Sequence, residues 1–174
     1  NRPVGRLALT KEGLCAFEYS AEWLGSGFFI SPFELPLRSG VFIAKPRPFE
    51  GGFGVFDDCL PDGWGLLILD RYLQQKGINP RTLTLLDRLA LVGSTGRGAL
   101  EFRPDNSVIT RKDYVDFEKL ALEAEQILDS DDYRGEGIEE FQDRGGSPGG
   151  ARPKIFVRYD NKEWLVKFRA KRDP

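Results

Sequence analysis

The chain has 174 residues, 40% of them hydrophobic and 30% charged, which is the balance of a globular protein long enough for one domain or two small ones. It contains no histidine, so His-dependent acid–base catalysis, Ser–His triads and His-ligated metals are excluded; two cysteines, Cys15 and Cys59, make neither a disulfide framework nor a Cys-rich zinc site. With 25 Lys/Arg against 27 Asp/Glu the formal charge is −2, which argues against general nucleic-acid binding.

The first forty residues read as strands. Val4, Leu7 and Leu9, then Leu14, Ala16/Phe17 and Tyr19, flank a turn at Lys11-Glu12-Gly13 and predict a β-hairpin. Phe28–Ile30 and Phe33–Leu37 read as further extended pieces, confined to sheet edges by Pro32 and Pro36. Pro46, Pro48, Gly51, Gly52 and Gly54 predict a loop. A helix follows, with apolar positions Trp64, Leu67, Ile68, Tyr72 and Leu73, a cap at Asp62 and a stop at Gly77. A second helix is predicted over about 82–92, where Leu85/Leu86, Leu89 and Val92 recur at helical spacing, and Ala99–Phe102 reads as a strand. A third helix is predicted over roughly 113–128, with Tyr114, Phe117, Leu120/Ala121, Ala124 and Ile127/Leu128 as its buried stripe. The acidic, glycine-containing stretch 129–144 reads as a mobile connector. Pro153–Tyr159 and Glu163–Phe168, around Asp160-Asn161-Lys162, predict a closing hairpin.

Charge is unevenly distributed. Residues 1–144 carry 17 Lys/Arg and 24 Asp/Glu, whereas residues 145–174 carry 8 and 3. The basic C-terminal piece can attract phosphate, or it can be a solvated strand pair with exposed cations. No apolar stretch reaches membrane-spanning length, and Asn1-Arg2-Pro3-Val4 shows no apolar signal core, so no membrane partner and a cytoplasmic location are expected. A natural sequence of this length normally carries several methionines; their absence, even as an initiator, leads to the expectation of a fragment or an edited sequence.

The segment richest in chemistry runs from Arg144 through Gly145, Gly146, Ser147, Pro148, Gly149, Gly150, Ala151, Arg152 and Pro153 to Lys154. Its four glycines let backbone N–H groups approach and cradle phosphates. Strand alternation then puts Trp164, Val166 and Phe168 on one face and Leu165, Lys167 and Arg169 on the other. A lysine on a strand after a glycine-rich loop matches how protein kinases hold ATP phosphates. The segment is neither a Walker A loop nor Gly-x-Gly-x-x-Gly, and the competing reading is a flexible linker entering an edge hairpin, with Lys167 snorkelling. Asp57, Asp58 and Asp62 lack calcium-loop spacing and read as a cap and turn formers, so no metal site is expected. Ser94-Thr95-Gly96-Arg97-Gly98 reads as a turn, and Cys15 as a small core residue.

Several segments together resemble HipA-family proteins, Ser/Thr kinases that act as toxins in bacterial toxin–antitoxin pairs. They are Val4-Gly5-Arg6-Leu7, Phe17–Leu24, Leu35-Pro36-Leu37, Phe56-Asp57-Asp58-Cys59-Leu60-Pro61-Asp62, Leu91-Val92-Gly93 through Gly98-Ala99-Leu100, Ser147–Lys154 and Trp164–Phe168. The resemblance implies an α+β fold: a small β-rich N-terminal module with helices (residues 1–105), a helix and acidic connector (106–144), and the start of a kinase-like N-lobe, with glycine-rich loop and β-hairpin (145–174). It implies that Ser147 is an autophosphorylation site whose modification displaces the loop, and that Lys167 contacts ATP phosphates. Gly149, Gly150, Ala151, Arg152 and Lys154 would lie nearby. Pro148, directly after Ser147, departs from some family loops and restricts the loop's movement.

The family's catalytic aspartate and its Mg²⁺-holding Asp/Asn pair belong to a larger C-terminal lobe, and no Asp in residues 155–174 has a matching context. No catalytic residue is therefore expected in this chain; ATP and Mg²⁺ would be cofactors of the full protein only. The implied partners are a helix-turn-helix antitoxin, through which alone DNA would be contacted, and a protein substrate in translation, typically an aminoacyl-tRNA synthetase. Two alternatives belong to a different class: a stand-alone adaptor that binds and neutralises a separate HipA-like kinase, and a generic α+β interaction domain.

Overall fold

The computed structural model describes residues 2–96, 98–107, 115–130, 133–145 and 149–169. Among them the fold is mixed α+β, with six helices and two small antiparallel sheets. Chain contacts divide it into two compact units: residues up to Cys59 with Thr84–Leu89, and Leu60–Leu83 with the chain from Ala90 onward.

In the first unit, β1 (Gly5–Leu9) and β2 (Cys15–Tyr19) form the expected hairpin, in register from Gly5↔Tyr19 to Leu9↔Cys15, with Gly13 at φ +79° in its turn. β3 (Val41–Ile43) adds to the far side of β2. Alternation along β2 sends Cys15, Phe17 and Tyr19 inward, where Phe17 packs edge-on to Tyr19 at 4.8 Å and against Phe56 at 5.5 Å. Gly5 must lack a side chain, because a Cβ there would come within 2.6 Å of the Phe17 ring.

Phe28–Ile30 and Phe33–Leu37 do not form strands. Their backbone groups turn to a side chain: the Tyr19 hydroxyl donates to the Leu35 carbonyl (2.6 Å) and accepts from the Ile30 N–H (3.0 Å), beside a lone bridge between Ser31 and Leu35. A short helix α1 (Ala21–Ser26) starts at Ser20, whose hydroxyl accepts from the Trp23 N–H at 3.1 Å. The glycine-rich stretch after Pro46 leads into α2 (Gly54–Asp57). Cys15 is fully buried, and burial pushes its thiol up to about 11.

The second unit holds α3 (Gly63–Gln75), a 3₁₀ turn (Pro80–Thr82), the end of α4 (Leu85–Val92), α5 (Phe117–Asp129) and α6 (Gly137–Gly145). The hairpin of β4 (Lys154–Tyr159) and β5 (Lys162–Lys167) completes it. α3 ends as expected, with Gly77 at φ +75°. α5 starts later than its apolar stripe suggests, because the Asp116 carboxylate caps it by accepting from the Lys119 N–H (3.0 Å); Asp113 and Tyr114 lie outside the described residues.

Two expectations are corrected here. Ala99–Phe102 is not a strand: the Phe102 N–H donates to the Gly93 carbonyl (3.0 Å), and Asp105 bonds the turn by accepting from the Ser94 and Ser107 N–H groups. The stretch read as a connector contains α6. Its acidic residues conceal an apolar face, on which Ile138 and Phe141 are fully buried. They close a core with Trp64, Ile68, Leu120, Ala124, Ile127, Ile155, Val157 and Phe168. The Trp64 ring meets Phe141 edge-on at 5.1 Å, and Phe141 meets Phe168 at 5.7 Å. A Lys76–Glu139 ion pair (2.6 Å) also ties α3 to α6.

Candidate functional site

The β4–β5 hairpin turns on Asp160 and Asn161, both in the left-handed region (φ 51° and 56°), as a two-residue hairpin turn requires. That turn fixes the register, and the register sets Lys154 directly opposite Lys167. Val166 and Phe168 face the core side as alternation predicts, and Lys167 is exposed. Trp164 is half exposed, with its indole N–H donating to the Tyr159 carbonyl at 3.3 Å.

Lys154 is 4% exposed. Its ammonium donates to the carbonyls of Gly149 (2.7 Å) and Gly150 (3.0 Å), so it braces the glycine loop from beneath. Burial lowers its pKa from the ordinary value, as do the nearby charges of Lys167 and Arg152, while Asp62 opposes them. Lys154 thus lies near two further cations, Lys167 and Arg152, and near the carboxylate of Asp62. Of the residues singled out in the sequence, Gly149, Gly150, Arg152, Lys154 and Lys167 are brought together. Ala151 is exposed between them, and Gly146, Ser147 and Pro148 lie outside the described residues.

Asp62 differs from its expected role. Its main-chain carbonyl accepts from the Leu66 N–H (3.3 Å), as an N-cap residue's does, but its side chain makes no capping bond to α3. The carboxylate instead accepts from the Gly150 N–H at 2.9 Å. The Trp64 N–H donates to the Gly150 carbonyl at 3.2 Å. This approach requires Gly63 (φ +46°), where a Cβ would lie 2.7 Å from the Gly150 carbonyl carbon. The Asp-Gly pair at the start of α3 was the sequence signal for such a contact, and it reads equally well as a cap.

The other candidates stay apart from this chemistry. Among the described residues no cluster of His, Cys, Asp or Glu could hold a metal ion. Burial, with Asp58 and Glu50 nearby, raises the Asp57 carboxyl above its ordinary pKa, and Cys59 is raised by burial and Asp58. The Ser94 segment is the turn bonded by Asp105, and Arg97 lies outside the described residues. No helix among the described residues is long and apolar enough to cross a membrane.

These features define a class: an α+β protein in which a cationic β-hairpin is entered through a glycine loop anchored on a helix. The family model of the HipA N-terminal domain matches residues 1–103, and the chain belongs to that family. The glycine loop and hairpin follow the matched region. A comparison with curated proteins finds no match.

Proposed function

We propose that this chain is the N-terminal part of a HipA-like Ser/Thr protein kinase toxin, and that residues 149–167 form the phosphate-facing edge of its ATP site. One observation carries the reading. Lys154 and Lys167 stand directly opposite each other across the hairpin, with Arg152 nearby. Like charges so placed destabilise a strand pair, and an anion at the glycine loop would relieve the repulsion. Lys167, the exposed member, is the residue to reach a phosphate; Arg152 adds charge, and Lys154 holds the loop.

In this reading Ser147 takes phosphate in autophosphorylation. Its roughly two added negative charges repel ATP and disfavour the closed loop. Phosphoryl transfer needs Mg²⁺ and catalytic carboxylates supplied by the remainder of the full protein. The substrate is a translation component such as an aminoacyl-tRNA synthetase, and a helix-turn-helix antitoxin supplies the DNA contact.

The test uses the native protein that contains this segment, supplied with Mg-ATP. Phosphate should appear on Ser147 and vanish in Ser147→Ala. Lys167→Ala should lower kcat/KM by about ten- to hundredfold, the loss of one charge-assisted bond to phosphate. Unchanged turnover in Lys167→Ala overturns the assignment. A native polypeptide no longer than this chain, bound to a separate kinase, would favour the adaptor instead.

A further inference from the structure

We infer that Asp62 is a positioning residue of the glycine loop: its carboxylate is the anchor that fixes the Gly150 peptide on the start of α3. For its functional meaning the inference rests on the phosphate reading above. Both backbone polar groups of Gly150, which belong to successive peptide units, are held. Its N–H donates to Asp62 Oδ1 (2.9 Å), and its carbonyl accepts from the Trp64 N–H (3.2 Å) and from Lys154 Nζ (3.0 Å). Lys154 also bonds the Gly149 carbonyl at 2.7 Å. Gly150 sits at φ +101°, a conformation open to glycine and strained for other residues.

Four bonds on two adjacent glycines are more than a flexible linker needs. They have a chemical consequence. The Gly150 N–H is committed to a carboxylate, so it is not a phosphate donor while the anchor is closed. The Gly150 and Gly149 carbonyls, which would repel an anion, are turned onto Lys154 and Trp64. The anchor thus fixes the inner end of the loop with its repulsive dipoles neutralised, and leaves Lys167 and Arg152 as exposed cations beside it. Asp62 gives up the bond it could make to its own helix, and α3 keeps only the main-chain part of the cap.

The experiment follows the Gly150 amide by NMR in the full chain, with inorganic triphosphate as the anionic probe. In Asp62→Ala, exchange of the Gly150 amide should accelerate by about tenfold or more, the loss of a bond to a charged acceptor. Exchange of the Ile68 and Phe141 amides should stay as in the parent chain. Triphosphate affinity should fall with it, because the loop base is no longer fixed. Asp62→Asn keeps an oxygen acceptor of weaker strength, so exchange should change little while the Gly150 proton resonance moves upfield. This second variant keeps the test decisive if Asp62→Ala fails to fold.

Unaltered Gly150 exchange in Asp62→Ala, or an unmoved resonance in Asp62→Asn, overturns the anchor. Faster exchange with unchanged triphosphate affinity overturns its positioning role. If the parent chain takes no triphosphate while Gly150 exchange still depends on Asp62, the phosphate reading fails and the anchor stands.

Discussion

The two sheets of this protein treat charge in opposite ways. Across β1–β2, Arg6 faces Glu18, a complementary pair on the exposed side of a sheet whose other side carries Phe17 and Tyr19. Across β4–β5, Arg158 faces Glu163 in the same complementary manner, but at the open end of the hairpin Lys154 faces Lys167. A sheet selected only for stability would not place two lysines opposite each other. The first unit therefore reads as a structural module closed around aromatic rings, and the second as a scaffold in which one strand pair is held in unfavourable electrostatics. That contrast directs attention to the hairpin and away from the carboxylates near Cys59.

The largest expected effect tests whether the second unit is as well built as the first. Phe141→Ala removes a fully buried ring packed between Trp64 and Phe168 and should cost about 3–5 kcal/mol. Urea denaturation measures it. A loss under about 1 kcal/mol, the range of surface substitutions and weak contacts, would mean that α6 is not part of the core.

Next comes the thiol chemistry of the first unit. Cys15 is fully buried with its pKa near 11, so its thiolate is scarce at neutral pH and rises only as pH approaches that value. At pH 8 its labelling by an aromatic disulfide should be about a hundredfold slower than that of a free thiol, or slower still. Cys59, half-buried and raised by burial and Asp58, should react between the two. Rapid labelling of Cys15 would break the picture of a closed aromatic module.

The smallest effects sharpen the contrast most directly, because the two sheets can be exchanged in character. Lys167→Glu converts the repelling pair into an attracting one and should stabilise the chain by about 0.2–1 kcal/mol, while Glu18→Lys should cost a similar amount. Thermal melts at low salt read both. The same Lys167→Glu variant should lose triphosphate binding, so stability and binding would move in opposite directions. A variant that gains both would remove the argument that the lysine pair is kept for an anion.

Much of the architecture was legible in the chain. The first hairpin, α3, α4 and the closing hairpin follow from apolar periodicity and turn residues. The misses share a cause. Phe28–Ile30 and Phe33–Leu37 carry strand-like residues, but a single buried hydroxyl, that of Tyr19, takes their backbone groups. β3 is only three residues long and needs β2 beside it to exist. α6 is rich in Asp and Glu, and its two buried anchors, Ile138 and Phe141, stand out only once Trp64 and Ile155 are placed around them.

The candidate site divides along the same line. In the sequence the glycine-rich loop and the strand lysine Lys167 stood out as local features suited to phosphate, and the resemblance added Gly149, Gly150, Ala151, Arg152 and Lys154 around Lys167. The register that opposes Lys154 to Lys167 came from the structure: the sequence set the turn at Asp160-Asn161-Lys162, whereas Lys162 is already paired with Tyr159 and only Asp160 and Asn161 turn. Which of the two lysines is buried, and what it holds, was decided by tertiary structure. So was the partner of Asp62. A carboxylate at a helix start can bond the helix's own N–H groups or any other donor that packing brings within reach. Here the absence of a side chain at Gly63 lets the Gly150 peptide come close enough to take it.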